Sequence, residues 1–230
     1  MNTKKSSKSR YDVSKYKRPS VTADILVFTV QDNELKIALV KRGLWPFEGR
    51  WALPGGFVKM KETLENAAKR ELREETGVKN VYLEQLYTFG DVKRDPRTRV
   101  ITVAHFALVP SENIKLSAAT DAKEVKWFFV KKLPPLAFDH KKIIQRGLAR
   151  LRSKIGYTNI VWGLLPKKFR LSQLQNIYEA VLGKKVDKRN FRRKMLALGL
   201  LAPTGQKEVD GAHRPAMLYK FKTKEVVFFD

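Results

Sequence analysis

Residues 21–30 read VTADILVFTV, an apolar run that is too short for a helix and rich in β-branched side chains, so it predicts a buried strand. A polar QDNE turn and the alternating LKIALV make residues 35–40 its hairpin partner. The pattern then breaks. Residues 41–58, KRGLWPFEGRWALPGGFV, are punctuated by Gly43, Pro46, Gly49, Pro54, Gly55 and Gly56 and carry large aromatics, which marks a loop. After Thr63, an acceptable N-cap, the period changes to that of a helix, with Leu64, Ala67, Ala68 and Leu72 on its apolar side and Gly77 as a left-handed stop. Residues 80–88, 99–109 and 124–130 return to strand patterns. Strands around an embedded helix predict an α+β domain with a mixed sheet covered on two sides.

Pro134 and Pro135 break the chain before a second helix over 139–155, striped by Ile144, Leu148, Leu151 and Ile155. Beyond Gly156 the text changes again. Residues 171–183 predict a helix capped by Ser172, with Leu174, Ile177, Tyr178 and Val181 inward and Gly183 ending it. After only Lys184, Lys185 and Val186, another helix opens at Asp187 and runs to Gly199, with Phe191, Met195 and Leu198 inward. A hairpin follows, its tip placed within 205–214 and its returning strand at AMLYKF. Two helices joined by a tight turn and followed by a hairpin are the layout of a winged helix. The expected division is a flexible basic arm over 1–19, an α/β domain over 20–155 and a winged-helix domain over 156–230.

Charge adds a partner to this picture. The net charge is +24, and residues 1–20 hold 7 basic against 1 acidic residue while residues 151–230 hold 17 against 6. So uneven a field attracts polyanions, with nucleic acid first and an acidic membrane surface second. Within the helix from Asp187, Lys188, Arg189, Arg192 and Arg193 leave the apolar stripe near its N-terminal half, where a recognition helix meets base edges. Ser172 and Gln173 on the preceding helix are candidates for holding the backbone, and Lys207 and Arg214 in the hairpin for a minor groove or phosphate. The chain has no cysteine, which excludes disulfides and thiolate zinc sites. No stretch approaches the ~20 apolar residues of a membrane span, and the N-terminus lacks the apolar core of a signal peptide, so a cytoplasmic protein acting at the nucleoid is expected.

The candidate chemistry lies in the first helix. Glu71, Glu74 and Glu75 stand at i, i+3 and i+4, on one face. Three crowded carboxylates repel, so either some stay protonated or a cation sits among them, and the cation is the simpler reading. A hard ion such as Mg²⁺ or Mn²⁺ suits this oxygen set, with the Gly56 carbonyl as a further ligand. Arg70 is placed to hold Glu74 by an i, i+4 contact, and Glu62 to orient the turn or reach metal-bound water. Of the histidines, His105 in its apolar strand reads as a satisfied buried side chain, and His140 opens a helix.

Gly56, Glu62, Arg70, Glu71, Leu72, Glu74, Glu75, Gly77 and Val78 together match the Nudix box without departure. From about residue 20 to 222 the chain resembles the Nudix-related transcriptional regulators, in which a Nudix α/β/α sandwich is fused to a C-terminal winged helix-turn-helix domain. That resemblance implies a DNA-binding repressor that senses ADP-ribose, or in relatives a sugar phosphate, and that acts on double-stranded operator DNA as a homodimer, typically at NAD metabolism genes. It also implies roles in metal-dependent chemistry for Glu62, Arg70, Glu74 and Glu75. The effector is expected between the loops carrying Arg42, Trp45, Phe47 and Phe57 and those carrying Phe89, Arg94, Asp95 and Arg97. Because the box is intact, a Mg²⁺- or Mn²⁺-dependent ADP-ribose pyrophosphatase with an accessory basic domain is the competing expectation. The helix over 139–155, which joins the domains, is the expected moving part.

Overall fold

In the computed structural model, which describes residues 12–113, 116, 122–208 and 215–229, the first two strands form the predicted hairpin. Strands β1 (Ser20–Gln31) and β2 (Glu34–Arg42) are joined by Asp32 and Asn33, both left-handed, the backbone a two-residue hairpin turn of the primed type requires. The two strands pair over only four residues each, Phe28–Gln31 with Glu34–Ile37. Farther along, β1 pairs at Thr22–Asp24 with a short strand, β4 (Gly55–Phe57), and β2 pairs at Val40 and Lys41 with another, β3 (Trp51–Ala52). The first hairpin is therefore a fork, and the Gly/Pro stretch predicted as pure loop fills it with two strands too short to show a period.

On its other edge β1 runs parallel to β6 (Val100–Leu108), which pairs antiparallel with β5 (Tyr82–Phe89), while β7 (Ala122–Phe129) pairs antiparallel with β2. The resulting seven-stranded sheet is mixed, and helices cover both faces. Helix α1 (Leu64–Thr76) packs Ala67, Ala68 and Leu72 with Ala23, Ile25 and Val27 of β1. Helix α2 (His140–Lys154) packs Ile143, Ile144 and Leu151 with Leu26 and Phe28, the alternate residues of the same strand. At Gly147 a β-carbon would stand 2.4 Å from Leu26 Cδ2, so α2 packs directly on that side chain, which would have to shift to admit a larger residue. Thr63 caps α1 through the Asn66 amide (3.2 Å), and Gly77 ends it at φ 74°. Leu64, on the apolar side by its spacing, is exposed at the first turn.

A 3-10 turn (Ile160–Leu164) leads into β8 (Phe169–Arg170), α3 (Leu171–Leu182), α4 (Lys188–Ala197), β9 (Leu201–Glu208) and β10 (Ala216–Phe221), with sheet order β8-β10-β9. This is the expected winged helix with three adjustments. Ser172 lies inside α3 rather than capping it, because the N-cap is Arg170, two residues earlier. Its N-terminus is closed by the Gln173 side chain, which accepts a bond from the Arg170 amide (2.7 Å). Gly205, at φ 76°, sits within β9, so the predicted tip begins too early. Residues 209–214, Arg214 among them, lie outside the described residues.

The two domains share one core. Leu26, Phe28, Leu108, Ile144 and Leu151 belong to the same buried cluster as Ile160, Leu164, Leu174, Ile177, Phe191 and Met195. The C-terminal stretch returns to this joint, where the buried Asn159 donates to the Glu225 carbonyl (2.9 Å) and accepts from the Val227 amide (2.8 Å). Among the described residues no helix is long and apolar enough to cross a membrane.

Candidate functional site

The carboxylates of α1 do meet a cation, and it is Arg70. Its guanidinium donates to Glu62 (2.6 and 3.0 Å), to Glu71 (2.5 Å), to Glu74 (3.1 Å) and to the Phe57 carbonyl (3.1 Å). The expected Arg70–Glu74 contact is present as one arm of a wider clasp. Bonding to Arg70 and to the Lys59 amide (2.7 Å) holds the Glu62 carboxyl down at about 2, and Glu62 in turn is the main group keeping Arg70 charged. Glu71 is buried, and desolvation pushes its carboxyl up in spite of Arg70. Its Oε1 lies where a β-carbon on Gly56 would be (2.3 Å), so glycine is the residue that lets this carboxylate close on the strand backbone. Glu75 faces the other way, with Oε2 accepting from the Gly55 amide (2.8 Å).

The proposed ligand trio is therefore divided, Glu71 and Glu74 bonding to Arg70 and Glu75 to Gly55. Among the described residues no three acidic, histidine or cysteine side chains form a ready cluster for a metal. The donor chemistry still fits a hard cation, since every candidate atom is oxygen and Gly56 admits Glu71 beside its own backbone. Repulsion among the glutamates, however, no longer calls for an ion by itself, because the guanidinium relieves it.

Where β1 and β2 part, a cleft of about 230 Å³ opens, lined by Thr22, Asp24, Arg42, Gly56, Glu75, Arg94, Arg97, Phe138 and His140 among others. Three of its cations differ in their ties. Arg97 is bound to Asp95 (2.7 and 3.0 Å), and Arg94, buried, is bound to Asp139 (2.8 and 3.1 Å) and faces Asp24 (3.4 Å). Arg42 donates only to the carbonyls of Pro46 (2.7 Å) and Leu44 (3.4 Å) and pairs with no carboxylate among the described residues. Burial lowers its hold on its proton, with Arg97 adding to the effect. Its charge is open to an anion. The Oγ1 of Thr22, buried on the same wall, has no hydrogen-bond partner among the described residues, an unmet polar group that a polar ligand would satisfy.

Flat surfaces frame these cations. Phe138 lies under both Arg42 (4.8 Å) and Arg97 (5.8 Å), Phe57 under Arg97 (5.3 Å), and Phe47 packs edge-on to Phe138 (4.9 Å). Trp45, 70% exposed, stands at the mouth. Phe47 thus supports the wall from behind. Phe89 is not part of this cleft, since it packs on Tyr87 and the main core. Its strand ends before the loop that brings Arg94 and Arg97 across. Sequence reasoning missed Thr22, Asp24, Phe138 and His140. The first two were hidden inside a strand run read as core, and only the parting of β1 from β2 exposes them to ligand. The His140 Nδ1 accepts from the Leu53 amide (2.8 Å), so its proton is on Nε2, which faces Asp24 Oδ2 (3.8 Å). Burial, the leading influence, lowers its affinity for a second proton. His105 is buried beside the Val103 carbonyl (3.0 Å), as a satisfied side chain.

In the winged helix, Asp187 caps α4 through the Asn190 amide (2.8 Å), and Phe191 and Met195 are buried. Lys188, Arg189 and Arg193 are exposed, and none of them, nor Arg192, pairs with a carboxylate among the described residues. Arg193 bonds Asn190 (2.9 Å); Arg192 is half-buried, with a buried Nε lacking a partner. Lys207 is exposed on β9. Gln173 is occupied in capping α3.

A Nudix-type sandwich with an anion-accepting cleft, carrying a winged helix with open cations, defines a class: small-molecule-binding regulators that read DNA. Comparison with known proteins is specific within it. Residues 20–147 match the Nudix domain family, and residues 161–221 match the NrtR DNA-binding winged helix domain. The "ADPR responsive transcriptional repressor NtrR" of Acinetobacter baylyi is 38% identical over 224 residues, covering 96% of this chain and 89% of that protein. The crystal structure of Shewanella oneidensis NrtR complexed with a 27mer DNA superposes with a TM-score of 0.79 at 38% identity, covering 88% and 93% of the two chains. The Nudix domain of the same protein complexed with ADP ribose superposes at 0.54 and 38%, covering 62% of this chain and 94% of that one. The chain belongs to the NrtR family of Nudix-related transcriptional regulators.

Proposed function

We propose that this protein is a transcriptional repressor that binds operator DNA through α4 and is regulated by an ADP-ribose-like diphosphate in the cleft of the fork. The observation that carries the reading is Arg42, a cation without a carboxylate partner among the described residues, set over Phe138, in a domain whose core is continuous with a helix of unpaired cations. A diphosphate between two sugars and a base needs such a charge and such flat surfaces. The cleft is smaller than a dinucleotide, so part of the ligand lies over the rim, against Trp45 and Phe57. On α4, arginine forks suit guanine and Lys188 suits a phosphate. The protein acts as a homodimer on a two-fold operator site, and NAD metabolism genes are the target, readings supported by family membership.

Mg²⁺ or Mn²⁺ would be held by the Gly56 carbonyl with Glu71, Glu74 and Glu75. When bound, the ion neutralises diphosphate charge and polarises the phosphoanhydride. To reach the ion Glu74 would have to leave Arg70, and Arg70 would keep Glu62 and with it the turn before α1. The intact nine-residue box favours a second reading, slow hydrolysis of the same ligand. One pair of assays decides. The full chain is titrated with a duplex from its own upstream region with and without ADP-ribose, and separately incubated with ADP-ribose and Mn²⁺ to follow AMP and ribose 5-phosphate. Sequence-specific DNA binding that ADP-ribose relieves is expected; rapid product formation with no preference among DNA sequences overturns the regulator reading.

A further inference from the structure

The segment Phe138–Asp139–His140, at the start of α2, is tied to three walls of the cleft at once. Phe138 is held at φ 51°, a left-handed backbone unusual for a bulky residue and one that marks a constrained position. Its ring carries Arg42 and Arg97. His140 is bonded to the Leu53 amide and faces Asp24 on β1. Between them, Asp139 occupies the N-cap position of α2, yet its carboxylate makes no capping bond. Both oxygens go instead to Arg94, whose side chain is 3% exposed.

An aspartate at a helix N-cap has two satisfactory partners, the amides of its own first turn or a nearby guanidinium, and it cannot serve both fully. Here the choice is made for Arg94, a cation lining the cleft. At the far end of α2, Arg152 donates through Nε to the Val181 carbonyl of α3 (3.0 Å). Asp139 and Arg152 are thirteen residues apart, about 20 Å of helix. Its middle packs at Gly147 on the Leu26 side chain of β1.

We propose that Asp139 is the latch through which the cleft reaches the winged helix. Resting on the reading that a phosphate-bearing effector binds here, ligand phosphate competes with Asp139 for Arg94. The released carboxylate turns towards its own helix and competes for the Lys142 amide, which here bonds the Asp139 main-chain carbonyl (2.8 Å), and the reset first turn moves α2 against α3 through Arg152. Both sites then bias one two-state element, the physical requirement for coupling.

The test uses the full chain with ADP-ribose as ligand and the upstream duplex, measuring each affinity alone and in the presence of the other. In the unsubstituted protein, ADP-ribose is expected to weaken DNA binding by about tenfold or more. Asp139→Asn, which cannot compete for Arg94 as a charge, is expected to bind ADP-ribose a few-fold tighter, to bind DNA weaker before any ligand is added, and to lose most of the response. Such opposite movement is the mark of a shifted two-state equilibrium, whereas damage to the helix weakens both affinities. Arg152→Ala, outside the cleft, is expected to keep its ADP-ribose affinity and lose the response. Asp139→Asn with both affinities unchanged or both weakened, or Arg152→Ala with the full response, overturns the latch and leaves the parent reading standing. No ADP-ribose binding by the unsubstituted chain overturns both.

Discussion

Helices α1 and α4 are both highly charged, and they use charge in opposite ways. In α1, acids and bases alternate at helical spacing, and Arg70 gathers Glu62, Glu71 and Glu74 while Lys69 meets Glu65 (2.5 Å). The segment pairs most of its charges internally, and the result is a fixed arrangement beneath the Gly55–Gly56 strand. In α4 the cations follow one another with no acid inside the helix, and among the described residues Arg193 bonds a neutral neighbour, Asn190, rather than a carboxylate. Repulsion along such a helix persists until a polyanion arrives. A self-paired helix therefore sets internal geometry, and an unpaired one awaits a partner.

The largest test of this contrast removes the unpaired charge. Arg192→Ala together with Arg193→Ala is expected to weaken operator binding by about 10²–10⁴-fold, from roughly 1–3 kcal/mol for each base-reading arginine. ADP-ribose affinity should stay within twofold, measured by titration calorimetry on the same sample. An equal loss of ligand binding would mean that the helix is a structural support rather than an open surface.

The same contrast explains what was legible in the sequence. Ala67, Ala68 and Leu72 on α1, and Phe191 and Met195 on α4, announced their burial by period alone, because a helix repeats its faces within a few residues. The caps Thr63, Gly77 and Asp187 were equally local. The nine box residues identified the family, and spacing predicted the Arg70–Glu74 contact, but not that Arg70 would also bind Glu71 and Glu62, the latter reaching it from outside the helix. Asp24 and His140 meet across more than a hundred residues, and Phe138 joins them only because α2 begins there. Contacts of that kind leave no periodic trace. The strands β3, β4 and β8, two or three residues long, fall below what alternation can reveal.

Breaking the self-paired helix should cost stability first and function second. Arg70→Ala is expected to lower Tm by about 5 °C at neutral pH, since it leaves three carboxylates facing one another. The sign with pH follows from Glu62, whose carboxyl falls from 4.5 to about 2 on folding. A group depressed in this way stabilises the native state above its unfolded value and loses that contribution as pH falls from about 4.5 towards 2. Glu71, raised by burial, works in the opposite sense and softens the effect. Melting curves of the two proteins should therefore converge over that acid range. A gap that persists unchanged to pH 2 would mean that Arg70 acts through packing rather than charge.

The smallest test asks whether the open charge extends beyond α4 into the wing. Lys207 is exposed on β9, opposite Met217 of β10, and has no acidic partner among the described residues. As a flexible point charge on a strand it suits a phosphate and carries no base preference. Lys207→Ala should thus weaken all duplexes alike, by a few-fold, and reduce the slope of log affinity against log salt by about 1. The slope is the decisive reading, because a change in affinity alone would also follow from a disturbed hairpin, whereas one fewer counterion released would not. An unchanged slope would confine the open surface to α4, and the wing would then be a prop for that helix, nearer in character to the self-paired α1 than to its neighbour.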